Sequence, residues 1–188
     1  MKQSNTARFA YLAGVIDADG CIQIRKFRRA DGYGYDCAIL VNHTDGRALD
    51  FCVGAFGGSI YTIKNYQAGS NRKRVWRWEI RGDAAADVCK RIVPFLRIKK
   101  DQGELLIRFR TAVNRSSARK VAEEGWEGGR LLPHELAERE ELYVEMRRLK
   151  RNIQAPSAAV TTKWTDSSDG MGSDSLADEE EELVGIST

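Results

Sequence analysis

Leu12-Ala13-Gly14-Val15-Ile16-Asp17-Ala18-Asp19-Gly20 is the stretch on which the reading of this chain turns. It closes an apolar run beginning at Ala7, for which Ser4, Asn5 or Thr6 are candidate helix caps. Ala13 and Gly14 are small, so another backbone can approach the helix closely there. Asp17 and Asp19 fall where the helix ends, and Gly20 allows a sharp turn into a strand. Carboxylates delivered at the base of a sheet suit a hard cation such as Mg2+, which prefers oxygen ligands. Such an ion can activate water and stabilise a leaving oxygen in phosphodiester hydrolysis. Acidic groups at a helix C-terminus oppose the helix dipole, so a compensating cation is expected nearby.

Working outward, Cys21 to Phe27 alternates as a strand, with Ile22 and Ile24 on one face and Gln23 and Arg25 on the other. Arg28 to Tyr35, with Gly32 and Gly34, reads as a loop, and Asp36 to Val41 as a second strand. Ala48 to Phe56 is a helix stopped by Gly57-Gly58. Ile60 to Tyr66 and Arg74 to Arg81 are the third and fourth strands. Asp83 to Val93 is a helix interrupted by Pro94, and Asp101 to Val113 another. Hairpin-paired strands alternating with helices predict an α+β fold with an antiparallel sheet and helices on one face. Leu136 to Ile153 adds a charged helix. From Ala155 periodicity gives way to Ser, Asp, Gly and Glu, the composition of a disordered tail. The expected organisation is a core over 1–113, a helical C-terminal extension over 114–154 and an acidic tail over 155–188.

The net charge of +3 over 188 residues conceals an asymmetry. After Arg151, Lys163 is the single basic residue against eight acidic ones, so that segment carries −7 and the preceding part +10. A basic folded part suggests a polyanionic partner, nucleic acid being the commonest. No apolar run is long enough to span a membrane and no apolar signal segment opens the chain, so an intracellular location is expected. The four cysteines form no C-x-x-C pair and read as small reduced side chains; with two histidines, a zinc site is not expected.

The nine residues Leu12–Gly20 resemble the LAGLIDADG signature of homing endonucleases, departing only at Val15, where Leu is usual. Three later segments resemble the family in order: Gly57-Gly58-Ser59-Ile60-Tyr61, Val75-Trp76-Arg77-Trp78-Glu79-Ile80, and Pro94-Phe95-Leu96-Arg97-Ile98-Lys99-Lys100. The resemblance covers residues 7 to about 113. It implies an αββαββα fold whose saddle-shaped sheet lies in the DNA major groove, and a metal-dependent endonuclease that hydrolyses phosphodiesters in double-stranded DNA. Asp19 would be the metal-binding catalytic aspartate, with the backbone carbonyl of Ala18 a further ligand. Mg2+ is the implied ion; Mn2+ or Ca2+ would substitute for binding. Lys99 would orient water or steady the scissile phosphate, and Arg47 would support it. His43 falls where many members carry a water-positioning glutamine, a departure from the pattern.

DNA readout is expected from Gln23, Arg25, Arg77, Glu79 and Arg81, since Arg suits guanine, Gln adenine and Glu cytosine. Arg28, Arg29, Lys64, Asn65, Arg72, Lys73 and Arg74 lie at strand ends and loops, where phosphate or flanking-base contacts position a protein. One signature helix supplies one catalytic aspartate, whereas cutting both strands needs two. A homodimer on a long, nearly palindromic site is therefore expected, with Leu12, Ala13, Gly14, Ile16 and Asp17 at the interface. An RNA maturase or a DNA-binding regulator without cleavage is the alternative the family also offers. An intron-borne or free-standing mobile element is a more natural host than an intein, because no flanking splicing residues are visible.

Overall fold

The alternation in the strands divides a four-stranded sheet into two chemically distinct faces. The computed structural model describes residues 5–30, 32–63, 74–125 and 131–151. Within them α1 spans Asn5–Asp19, β1 Gly20–Arg29, β2 Gly32–His43, α2 Arg47–Phe56, β3 Ser59–Thr62 and β4 Trp76–Arg81. There follow α3 Gly82–Ile92, a single 3-10 turn at Val93–Phe95 containing Pro94, α4 Lys100–Glu124 and α5 Pro133–Arg151. The sheet order is β1-β2-β4-β3 and all pairings are antiparallel, as the αββαββα reading requires.

Ile22, Ile24, Cys37, Ile39, Val41, Trp78 and Ile80 share the helix-side face, since Ile22 pairs with Ile39, Ile24 with Cys37, Val41 with Trp78 and Ile39 with Ile80. All are buried, and they form one core with Leu12, Ile16, Leu49, Cys89, Ile92, Leu105 and Phe109 from the helices. Trp78 is fully buried and its indole donates to Gly57 O at 2.8 Å, so its one polar atom is satisfied. Beside it Gly58, at φ +88°, lies so close to β4 that a Cβ would stand 2.6 Å from Glu79 O. The double glycine thus lets α2 end and β3 start against β4 without a clash. The opposite face carries Gln23, Arg25, Asp36, Tyr61, Arg77, Glu79 and Arg81.

Two sequence expectations are revised. The first hairpin has no eight-residue loop: β1 and β2 pair from Gly20↔Val41 to Arg29↔Gly32, because Tyr33 and Tyr35 extend the strand pattern past the glycines. The α4 helix does not stop near Val113 but runs to Glu124, ending at Gly125 in the left-handed conformation. It therefore continues through the expected core boundary, and α5 packs against both α4 and β1. The described residues all belong to one compact unit, Met1–Ile153. Lys64, Asn65, Arg72 and Lys73, and the tail over 155–188, lie outside the described residues. Among the described residues no helix is long and apolar enough to cross a membrane.

Candidate active site and nucleic-acid interface

The chain between α1 and β1 is fixed by an exchange of hydrogen bonds between the end of α1 and the segment that leads into α4. At the C-terminus of α1, Lys99 Nζ donates to Ile16 O at 2.6 Å, Asp17 O at 2.9 Å and Gly20 O at 2.9 Å. These include carbonyls that a helix end leaves without intrahelical partners. In return the Asp17 carboxylate accepts from the backbone N–H groups of Arg97 (2.7 Å), Ile98 (3.3 Å) and Lys99 (2.9 Å), in the segment that leads into α4. A cation thus meets the negative end of α1, and an anion ties down the segment that leads into α4. This answers the need for a compensating cation near the acidic helix end. Burial pushes the Lys99 ammonium below its usual range, while the charges of Asp17 and Asp19 pull it back up. Gly20 completes the turn: a Cβ there would stand 2.6 Å from Ile16 Cα, so no other residue fits without moving backbone.

Asp19, two residues on, is exposed, and no hydrogen bond or ion pair among the described residues engages its carboxylate. With Ala18 and His43 it lines a concavity of about 440 Å³ formed between α1, the end of β2 and the start of α2, through Tyr11, Gly14, Ala48 and Leu49. His43 Nδ1 lies 3.0 Å from both N and O of Asp45. Arg47 follows at the N-terminus of α2. Its guanidinium, 88% exposed, is held by Asp45, whose carboxyl that contact lowers to about 2. The structure therefore brings Asp19, Ala18 and His43 together, with Lys99 bound to the carbonyls that flank Ala18 and Asp19.

Lys99 is placed differently from the expectation. All three of its ammonium donors are used on backbone carbonyls, so in this state it shapes the turn that presents Asp19 rather than reaching outward. Among the described residues no group of three or more His, Cys, Asp or Glu side chains is arranged to hold a metal. Asp19 with the Ala18 carbonyl, which Lys99 does not engage, is a set of hard oxygen donors that fits Mg2+ or Ca2+ in kind. It is also short of a full shell, as befits an ion completed by water, phosphate oxygens or a second chain.

Between the outward face of the sheet and α5, Gln23, Arg25 and Arg81 line a groove of about 720 Å³ with Arg147 and Lys150 of that helix. Lys150 Nζ lies 3.0 Å from Cys21 Sγ, which draws the end of α5 to the start of β1. Arg77 Nε donates to Asn42 Oδ1 at 2.8 Å. Arg28 and Arg29 are exposed near the hairpin tip, Arg29 lying over the Phe27 ring, and exposed Arg74 lies over Trp76. Glu79 departs from expectation. Its side chain is 3% exposed, and both oxygens are taken by Arg25, Arg81 and Tyr61, leaving none for cytosine. Burial pushes its carboxyl up, but the Arg81 and Tyr61 hydrogen bonds and the two arginine charges outweigh this and hold it low.

The proposed interface helix is also rotated relative to expectation. Leu12, Ala13 and Ile16 are at most 1% exposed and pack in the chain's own core. The exposed side of α1 instead presents Ala7, Ala10, Tyr11, Gly14 and Ala18. Tyr11 packs edge-on against Phe51, and 75%-exposed Ile98 stands beside Asp17. Sequence reasoning missed Tyr11, Ile98, Asp36 and Tyr61. Strand alternation placing Tyr61 opposite Ile60 was the available signal for the last.

No family model matches the chain and no curated protein sequence does. Solved structures do. The homing endonuclease I-CvuI, solved with its DNA target and calcium, is 20% identical, with a TM-score of 0.60 over 77% of this chain and 83% of that one. The archaeal intron-encoded I-Vdi141I, solved with DNA, is 13% identical, with a TM-score of 0.59 over 82% and 91%. The match to the LAGLIDADG homing endonuclease I-GzeII, with a TM-score of 0.52 at 15% identity, takes in 74% of this chain but only 43% of that longer one. With Asp19 at the end of α1 and the two hairpins in this order, the chain has the fold of the LAGLIDADG homing endonucleases.

Proposed function

We propose that the protein is a site-specific endonuclease that hydrolyses phosphodiesters in double-stranded DNA, using a divalent metal and acting as a homodimer. The observation that carries this reading is the contrast at the end of α1, where a rigidly capped turn holds out one carboxylate with no partner among the described residues. Asp19 and the Ala18 carbonyl would hold Mg2+, with Mn2+ or Ca2+ able to substitute for binding. When bound, the ion supplies Lewis-acid stabilisation of the leaving oxygen and a more acidic water. Lys99 fixes the backbone from which Asp19 projects. His43, in the same concavity, orients water or contacts phosphate through the ring nitrogen not turned to Asp45. Arg47, almost fully solvent-exposed, is placed to engage phosphate by leaving Asp45. Gln23, Arg25, Arg77 and Arg81 read bases; Arg28, Arg29 and Arg74, with Lys64, Asn65, Arg72 and Lys73, contact the backbone of the duplex.

Dimerisation is supported by the exposed face of α1, where Ala7, Ala10, Gly14 and Ala18 permit close approach and Tyr11 and Ile98 offer apolar area. Nothing lies within 4 Å of a Cβ built on Gly14, so that face is open in one chain. Coverage of less than half of I-GzeII fits one such chain supplying one half of a complete enzyme. An intracellular, intron-borne or free-standing mobile element remains the natural setting for this activity.

The test is selection of cleaved sites from random duplex DNA with Mg2+, repeated in EDTA and with Asp19→Asn. Long, nearly palindromic sites cut only by wild type in Mg2+ are expected, together with a light-scattering mass near twice 21.1 kDa that Gly14→Phe halves. Cleavage that survives chelation or Asp19→Asn would end the assignment, and a monomer cutting both strands at once would end the assembly.

A further inference from the structure

The buried carboxylate on the open face of the sheet makes two base-reading residues into one device. We infer that Glu79 is a positioning residue that locks Arg25 and Arg81 into a single reading head, so that base preference at the two positions they touch is set jointly. This rests on the DNA-reading role proposed above. Arg25 lies on β1, and its register partner is Asp36 on β2, yet its Nη1 reaches Glu79 Oε1 on β4 at 2.8 Å. It crosses an entire strand to do so. β1 and β4 are separated by two strand spacings, roughly 9–10 Å, and Arg25 and Glu79 are also offset along the strands, level with Asp36 and Leu40, so the two side chains meet only if nothing tall stands between. The residue between is Ala38, opposite Gln23 on one side and Arg81 on the other, and fully buried beneath the bridge.

The bonds are arranged to fix both guanidiniums. Arg25 is held at both ends, Nη1 by Glu79 and Nη2 by Asp36 Oδ2 at 2.7 Å. Arg81 gives Nε to Glu79 Oε1 at 2.7 Å and Nη2 to Oε2 at 2.8 Å, a bidentate grip that leaves its other donors directed elsewhere. Tyr61 on β3 donates to Oε2, so the carboxylate is fastened from three strands. Arg25 and Arg81 remain 29% and 56% exposed while Glu79 is 3% exposed: the cations face outward and the anion lies underneath.

The charges decide what the device does. Arg25, Arg81, Asp36 and Glu79 sum to zero, so the head adds little to non-specific attraction for phosphate. Its contribution is geometric: an arginine already immobilised loses less side-chain freedom on meeting a guanine edge, and it tolerates a misaligned base poorly. Glu79→Gln keeps the shape and removes one negative charge per chain. Affinity for arbitrary duplex should then rise while discrimination falls, opposite movements that a merely weakened fold does not produce.

The experiment has two arms. Without DNA, side-chain NMR of the free protein should show the Arg25 Hη1 and Arg81 Hε protons protected from solvent exchange, and Glu79→Gln should release both; Ala38→Leu, which blocks the crossing, should release Arg25 Hη1 alone. With DNA, binding to a library of half-site variants should show discrimination falling together at two base positions in Glu79→Gln, by roughly 5- to 100-fold each. Non-specific affinity at low salt should rise about twofold to threefold. Unprotected arginines in wild type, loss at one position only, or a fall in non-specific affinity would overturn the inference. A wild-type chain with protected arginines but no sequence preference on duplex DNA would instead overturn the functional reading on which it rests.

Discussion

Asp17 and Asp19 stand two residues apart at the end of one helix and live in opposite circumstances. Asp17 turns back and accepts from three backbone N–H groups just before α4. Asp19 projects into a concavity and is engaged by nothing among the described residues. One carboxylate joins the fold together; the other is presented by it. The same division recurs elsewhere. Glu135 in α5 is buried and bound by Arg119 Nε at 2.8 Å and by Leu132 N at 2.9 Å, closing α5 onto α4. Arg47, by contrast, has its partner Asp45 but almost no burial. Where every hydrogen-bonding position of a charged group is satisfied inside the protein, the group serves stability; where positions remain open, it serves a ligand.

Exchanging the fates of the two aspartates tests this division most severely. Asp19→Asn should lower cleavage by more than about a hundredfold, since a metal ligand is lost rather than a neighbour of one. Its melting midpoint should stay or rise slightly, because an unpaired carboxylate at a helix C-terminus opposes the dipole. Asp17→Ala should do the reverse in thermal melts: three N–H groups lose a charged acceptor, costing roughly 2 kcal/mol, or about 4–8 °C. Equal destabilisation by the two substitutions would dissolve the contrast.

Much of this was legible in the sequence, because the signals were local. The helix–strand–strand order, the antiparallel sheet and Asp19 at the helix end all follow from periodicity and from one nine-residue stretch. What was not legible depends on distant partners. Leu12, Ala13 and Ile16 looked like an interface because α1 is apolar on several sides; only the packing of α3 and the sheet shows which side is inward. Glu79 alternates correctly for a base reader, but a two-residue period cannot tell an outward carboxylate from one pinned under two arginines. Lys99 was expected to reach toward phosphate, and its three carbonyl bonds depend on a turn formed some 80 residues earlier in the chain.

The α4–α5 closure sharpens the comparison from the stability side and through pH. Arg119 holds the Glu135 carboxyl down to about 2. A depressed carboxyl pKa stabilises the fold above its unfolded value and loses that contribution as the proton binds. Stability should therefore fall as pH drops from about 4.5 toward about 2. Glu135→Gln should remove roughly 1–3 kcal/mol at neutral pH and flatten this acid limb, as read by urea melts across the pH range. Cleavage at permissive temperature should be unchanged, because Glu135 belongs to no part of the proposed site. An acid limb identical in wild type and variant would place the sensitivity elsewhere, Asp83, which accepts from Arg110 and Asn114, being another carboxyl held near 2.

Arg47 offers the smallest effect and the finest distinction. Its ion pair with Asp45 is short, at 2.5 Å, yet the arginine is 88% exposed. Exposed pairs of this kind contribute little, since water and salt compete for both partners. Arg47→Ala should therefore leave the melting midpoint within about 1 °C of wild type. If Arg47 leaves Asp45 for a phosphate of the duplex, the variant should bind DNA a few-fold more weakly at low salt. That deficit should shrink as salt rises, with the slope of log affinity against log salt reduced by about one per chain. A deficit of constant size at every salt concentration would show a contact other than phosphate. A midpoint lowered by several degrees would place Arg47 with Asp17 among the groups that hold the fold together.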